Sequence, residues 1–264
     1  MMKIFSTFLI GVAVALAAGA TPAPAAMFTQ TISYQQGGED LKGYLAYNQM
    51  VTGPRAAVLV VHEWWGLNDY IKRRVNMLAD LGYIAFAADI YGNGFTTRDP
   101  REAGKYAGKF RGDRQLLRNR ATAGLQVLLD QPNADKRRVA AIGYCFGGTT
   151  VLELARCGAP VLGVVSFHGG LDTPTPEDAK NIKGKVLALH GAEDTVVPPA
   201  QVSAFQDEMR KGKVDWQMVL YSGAVHSFTN PDSGSDPSKG MAYNERADKR
   251  SWQHMKLFFT EIFR

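Results

Sequence analysis

From residue 56 to residue 220, short runs of apolar and β-branched residues alternate with helical periods, and this alternation constrains the fold more than any other feature of the chain. The candidate strands lie at 29–34, 41–47, 56–61, 83–87, 138–142, 162–167, 186–189 and 216–220. The later ones are too uniformly apolar to face water on either side, as expected of strands buried in a parallel sheet. Helical spacing joins Ile71, Val75 and Leu78, then Leu117, Ala121, Gly124, Leu125 and Leu128, then Val202, Phe205 and Met209. Trp252, Met255, Phe259 and Ile262 repeat the pattern after the last strand. Strands alternating with helices predict an α/β fold with a mostly parallel central sheet and helices on both faces. The first two strands face each other across Gly37-Gly38 and predict an antiparallel edge hairpin.

Composition narrows the class. The chain has 264 residues, 45% hydrophobic and 21% charged, with no interior linker, which predicts one globular domain over 27–264. A formal charge of +5 without a dense Lys/Arg block gives no reason to expect a nucleic-acid partner. Residues 1–26 read as a cleaved secretory signal: Lys3, an apolar run over 8–18, then Ala-x-Ala options at 18–20 and 23–25. That run falls short of the roughly 18 apolar residues of a membrane span, so the expected product is periplasmic or secreted, with no stable membrane anchor. Cys145 and Cys157 are the two cysteines. They form neither a CxxC pair nor a disulfide scaffold.

In an open parallel sheet, ligands bind beyond the carboxyl ends of the strands. Gly143-x-Cys145-x-Gly147 follows one strand and opens a helical stretch running to about Arg156, the context of a nucleophile elbow with sulfur in place of the usual hydroxyl. A thiol there sits at a helix N-terminus, where amide dipoles favour the thiolate. His226 follows the last strand and a Ser222-Gly223-Ala224 turn, a place from which it can serve Cys145 as base and then as acid. Asp194 follows the preceding strand, and the order nucleophile, Asp, His is that of an α/β-hydrolase. Asp172 is an alternative acid, and Asp194 could instead be a helix cap. His62, His168 and His190 sit at strand ends and read equally well as buried structural rings, while His254 lies in the last helix. Helix length would hold the two cysteines roughly 18 Å apart, too far for a disulfide, which leaves Cys157 as a core residue.

Together, Gly-Tyr-Cys-Phe-Gly-Gly (143–148), His-Glu-Trp-Trp-Gly (62–66), Ala-Ala-Asp-Ile-Tyr (87–91), His-Gly-Ala-Glu-Asp (190–194) and His-Ser-Phe (226–228) resemble the dienelactone hydrolases, carboxymethylenebutenolidase-like proteins of the α/β-hydrolase superfamily. The resemblance covers nearly all of 27–264. It implies a triad of Cys145, His226 and Asp194, and an oxyanion hole from the backbone N–H groups of Trp64 and Phe146. It also implies that Glu63 holds the resting thiol and yields it to His226 when substrate enters.

Two departures matter. At the positions where the family resembled carries carboxylate-gripping arginines, this chain has Asn93 and Asn230, so a small anionic lactone loses its main anchors. Arg98, Arg101 and Arg111 could rebuild an anion site, but an amphipathic helix with a solvated basic face accounts for them better. The expected substrate is a neutral or bulky small-molecule ester or lactone, met by an aromatic mouth of Trp64, Trp65, Tyr91, Tyr144 and Phe146, with Asn93 and Asn230 as further substrate contacts. The expected enzyme is a monomer with no cofactor and no metal. An H-E-x-x-H zinc motif fails at Gly66, and no phosphate loop is present. Two rivals stand beside this reading: a binding or thiol-sensing protein on the same scaffold, and an amide hydrolase or acyl transferase using the same triad.

Overall fold

The computed structural model describes residues 26–264. The signal segment expected over 1–26 therefore lies outside the described residues, apart from Ala26. Eight strands form one sheet: β1 (Met27–Gln36), β2 (Glu39–Asn48), β3 (Arg55–Val61), β4 (Ile84–Ala88), β5 (Ala134–Tyr144), β6 (Gly163–Phe167), β7 (Lys185–Gly191) and β8 (Trp216–Tyr221). Their spatial order is β1-β2-β4-β3-β5-β6-β7-β8. Strands β3 to β8 run parallel, while β1 pairs antiparallel with β2 and β2 antiparallel with β4. The β1–β2 turn needs its two glycines, because both Gly37 and Gly38 have positive φ, the requirement of a two-residue hairpin.

Among the described residues, six α-helices cover the sheet: α1 (Asp69–Asp80), α2 (Pro100–Gly112), α3 (Arg114–Leu129), α4 (Phe146–Arg156), α5 (Pro199–Lys211) and α6 (Glu245–Ile262). Strand alternation divides the core in two. Leu59 and Val61 of β3 face a cluster that includes Phe110, Leu117, Leu125, Val151 and Phe205 from α2 to α5. Val58 and Val60 face Ile71, Val75, Met255 and Phe259 from α1 and α6. Helix starts follow local chemistry: Asn68, Asp99, Asp113 and Asn244 each accept a hydrogen bond from the first turn they cap.

The chain leaves β3 for β4 on one side and then places β5 on the other side of β3, so the strand order reverses between β3 and β5. Such a reversal opens a crevice beyond the strand ends. Glu63 follows β3 and Cys145 follows β5, so both border it. On its outer side α4 is tied down by buried charges. Arg156 donates to both carboxylate oxygens of Glu208 on α5 at 2.7 Å and to Glu153 at 3.0 Å, and Arg118 of α3 pairs with Glu153 at 2.8 Å. Among the described residues, no helix is long and apolar enough to cross a membrane.

Candidate active site

Cys145 occupies the sharp bend between β5 and α4, with φ 53° and ψ −114°. That conformation is costly for a side-chain-bearing residue and persists only where its surroundings enforce it. Two glycines permit it. A Cβ on Gly143 would lie 1.9 Å from the Gly147 carbonyl oxygen, and one on Gly147 would lie 2.2 Å from that of Val61. The strands and α4 therefore touch through bare backbone, and the thiol is thrust into the crevice at the helix N-terminus.

The Cys145 sulfur lies 3.1 Å from His226 Nε2, and His226 Nδ1 lies 2.8 Å from Asp194 Oδ2. The other carboxylate oxygen, Oδ1, accepts from the amides of Val196 and Val197, so the acid is fixed on both sides and caps its own turn as well. Burial works against a charged His226, but the Cys145 sulfur and the Asp194 carboxylate outweigh it, and the imidazole is pushed up to about 10. A ring that keeps its proton 3.1 Å from the Cys145 sulfur can hand that proton on once the sulfur has attacked. The alternative acid, Asp172, is exposed and paired with Arg114 at 2.7 Å.

Glu63 does not hold the thiol, contrary to what the resemblance implies. Its Oε2 accepts from Asn230 Nδ2 at 2.6 Å and its Oε1 faces the Ser227 hydroxyl at 3.4 Å, while His226 takes the sulfur. Burial raises the Glu63 carboxyl to about 7, against the lowering effects of Asn230, His226 and Ser227. Asn230 is buried and engaged at both ends of its amide, since its Oδ1 accepts from the Asp232 amide. It steadies Glu63 and offers no cation to a substrate.

The N–H groups of Trp64 and Phe146 donate to no protein acceptor among the described residues. Trp64 and Trp65 pack at 4.6 Å, half-exposed, and Tyr91 donates through its hydroxyl to the Trp64 carbonyl at 3.0 Å. Tyr91 also touches Phe146, Phe110 and Tyr106, forming an aromatic wall. Two expected contacts are corrected. Tyr144 is fully buried on the opposite face of the sheet, stacked on Phe167 at 4.7 Å, because consecutive residues at the end of β5 point to opposite faces. Asn93 is exposed with φ 56°, and its amide is bound to Glu39 of the edge hairpin at 2.7 Å. Arg98, Arg101 and Arg111 are exposed, and α2 instead buries Ala103, Ala107 and Phe110, as an amphipathic helix should. Cys157 is exposed at the end of α4, not part of the core, and both thiols are free.

The pattern of the sequence does not single out a second layer behind the site. The Cys145 amide donates to the Phe167 carbonyl at 3.0 Å and to His168 Nδ1 at 3.1 Å, so His168 presents a bare nitrogen there. His168 Nε2 meets Thr229 Oγ1 at 2.7 Å, which meets the Tyr70 hydroxyl at 2.6 Å. Arg74 closes the layer by donating to Tyr70 and to the Thr229 carbonyl, and it pairs with Asp248. A signal for it exists: Arg74 intrudes on the apolar stripe of α1 beside Ile71, Val75 and Leu78, and a buried cation there demands partners. His190 is buried near the His226–Asp194 pair without bonding to it, and His254 bonds the Tyr221 hydroxyl at 2.7 Å.

With this geometry in place, comparison with known proteins decides the family. The family model described as dienelactone hydrolase family matches residues 41–263. The chain belongs to the dienelactone hydrolase family. Members are hydrolases of carboxylic esters and lactones, and this chain is an enzyme of that class. A protein of Aquifex aeolicus assigned as a carboxymethylenebutenolidase is 30% identical over 234 residues, covering 87% of this chain and 97% of the relative. Among solved structures, a dienelactone hydrolase-like promiscuous phosphotriesterase from metagenomic libraries is 42% identical with a TM-score of 0.86, covering 90% of this chain and 99% of that one. A dienelactone hydrolase from Anabaena variabilis, 22% identical with a TM-score of 0.66 over 90% of this chain and 99% of that one, shares the fold.

Proposed function

We propose that the protein is an exported thiol hydrolase that cleaves neutral carboxylic esters or lactones through an acyl-thioester on Cys145. The observation that carries this reading is the run of contacts from Cys145 Sγ through both nitrogens of His226 to Asp194, at 3.1 and 2.8 Å. The thiolate attacks the carbonyl carbon, and the oxygen takes the negative charge against the N–H groups of Trp64 and Phe146. As the carbon–oxygen bond to the leaving group breaks, His226 Nε2 delivers its proton to the departing alkoxide. Water then gives a proton to His226 and attacks the thioester. The acid leaves, and the thiolate and imidazolium are restored. Asp194 keeps the ring in the required orientation throughout.

A neutral substrate fits the loss of cations. Asn230 is consumed by Glu63, Asn93 by Glu39, and the ionised form of Glu63 would repel a second carboxylate. The phosphotriesterase named above adds a second reading, since a neutral phosphotriester presents the same demands as a neutral ester: a thiolate, amide donors and an apolar mouth. Export rests on the signal pattern at 1–26, and cell fractionation tests it.

The test of the reaction is a panel of neutral esters, lactones, a carboxylated dienelactone and a neutral aryl phosphotriester. Neutral acyl substrates are expected to turn over fastest, and Cys145→Ala to lose at least a thousandfold while keeping its melting temperature. Full activity in that variant, or a strong preference for the carboxylated lactone, would overturn the reading.

A further inference from the structure

His62 is a fully buried histidine that the reaction above does not use. Its Nδ1 lies 2.6 Å from the carbonyl oxygen of Glu63, and its Nε2 accepts from the Ile90 amide at 3.3 Å. The second bond requires Nε2 to be bare. The proton therefore sits on Nδ1, which donates to the Glu63 oxygen. Burial keeps the ring neutral, as this tautomer demands.

That oxygen belongs to the peptide joining Glu63 to Trp64. In a trans peptide the carbonyl and the following N–H point in opposite directions within one plane, and no peptide bond among the described residues is cis. Fixing the Glu63 oxygen therefore fixes the direction of the Trp64 N–H. The Gly66 amide also reaches this oxygen, but at 3.2 Å, which leaves the imidazole as the shorter anchor. The ring is itself immobilised. It stacks on Phe146 at 5.9 Å and meets Tyr91 edge-on at 4.8 Å, so one side chain touches Phe146 as well as the peptide that carries the Trp64 N–H.

We infer that His62 is a positioning residue, whose Nδ1–H clamps the Glu63–Trp64 peptide so that the Trp64 N–H is already aimed at the oxygen that becomes negative during acyl transfer. This inference rests on the proposed reading of Cys145 as nucleophile, and the two fail in different experiments. Alkylation of Cys145 by iodoacetamide is a displacement at carbon that creates no oxyanion, so it reports the thiolate alone. Ester turnover reports the thiolate and the oxyanion donors together.

The experiment compares His62→Leu, His62→Asn and His62→Gln in the full chain for kcat, KM, iodoacetamide rate and melting temperature. Asn carries an N–H donor at the Nδ1 position, Gln only at the Nε2 end, and Leu carries none. His62→Leu is expected to lower kcat about 10- to 100-fold, less than outright loss of a donor, with KM and the alkylation rate within about twofold of wild type. His62→Asn is expected to recover most of that loss and to exceed His62→Gln about fivefold or more. Unchanged kcat in a folded His62→Leu, equal kcat in the Asn and Gln variants, or parallel loss of turnover and alkylation would each overturn the inference. If His62→Leu does not fold, the Asn-to-Gln comparison decides alone. Retention of activity in Cys145→Ala would instead remove the nucleophile reading beneath it.

Discussion

Asn230 donates through Nδ2 to Glu63 Oε2 over 2.6 Å, with both side chains buried, and this pair leaves the thiol of Cys145 to His226. It sets a pH dependence. Burial raises the Glu63 carboxyl from an ordinary 4.5 to about 7, so the folded state holds its proton more tightly than the unfolded chain does. The associated stability is complete below about pH 4.5 and is lost as pH rises through 7. Glu63→Gln removes this titration. Relative to wild type, the variant should gain stability progressively from pH 4.5 to 8, by up to about 3 kcal/mol. Thermal or denaturant melts of both proteins across that range check it, and a constant difference would contradict it.

Placing a cation in the same spot should change specificity. Asn230→Arg puts a guanidinium beside Glu63, lowers that carboxyl and supplies a partner for a substrate carboxylate. KM for a carboxylated lactone should fall about tenfold, roughly 1.4 kcal/mol, with KM for a neutral ester little changed. Steady-state kinetics on the two substrates, beside a melting curve, measure this.

Asp194 bonds His226 with one oxygen and two backbone amides with the other. Asp194→Asn keeps the shape but presents an N–H or a neutral oxygen to the ring. The expected loss is about 10² to 10⁴ in kcat, with a slower iodoacetamide reaction at neutral pH as the imidazolium is weakened. Equal rates in wild type and variant would remove Asp194 from the mechanism.

The elbow itself is testable through Gly147. An added methyl would sit 2.2 Å from the Val61 carbonyl oxygen, a backbone atom that cannot move aside. Gly147→Ala should destabilise the fold by about 3 kcal/mol or more, whereas alanine at Gly108, whose Cβ meets nothing within 4 Å on α2, should not destabilise it. Urea melts of the two variants separate these outcomes.

All eight strands and the Cys145–His226–Asp194 constellation were legible in the chain, because each depends on local pattern: uniform apolar runs, glycines flanking a bend, and a reactive residue directly after a strand. What was not legible depends on direction or on distant partners. Tyr144 adjoins Cys145 in sequence yet points to the other face of the sheet, and the left-handed backbone of Asn93 turns its amide to the edge hairpin. The partner of Glu63 is set by Asn230, 167 positions away, and His168 meets Thr229 across 61. Such pairings follow from packing of the whole sheet and carry no short-range signature.

The central claim is that the sulfur of Cys145 becomes acylated during turnover, and rapid-quench mass spectrometry of the intact protein with a slowly hydrolysed 4-nitrophenyl ester tests it directly. The expected result is one acyl group per chain, mapped by digestion to the peptide containing Cys145 and absent from Cys145→Ala. Turnover of that ester with no adduct on Cys145, or with the acyl group on another residue, would contradict it.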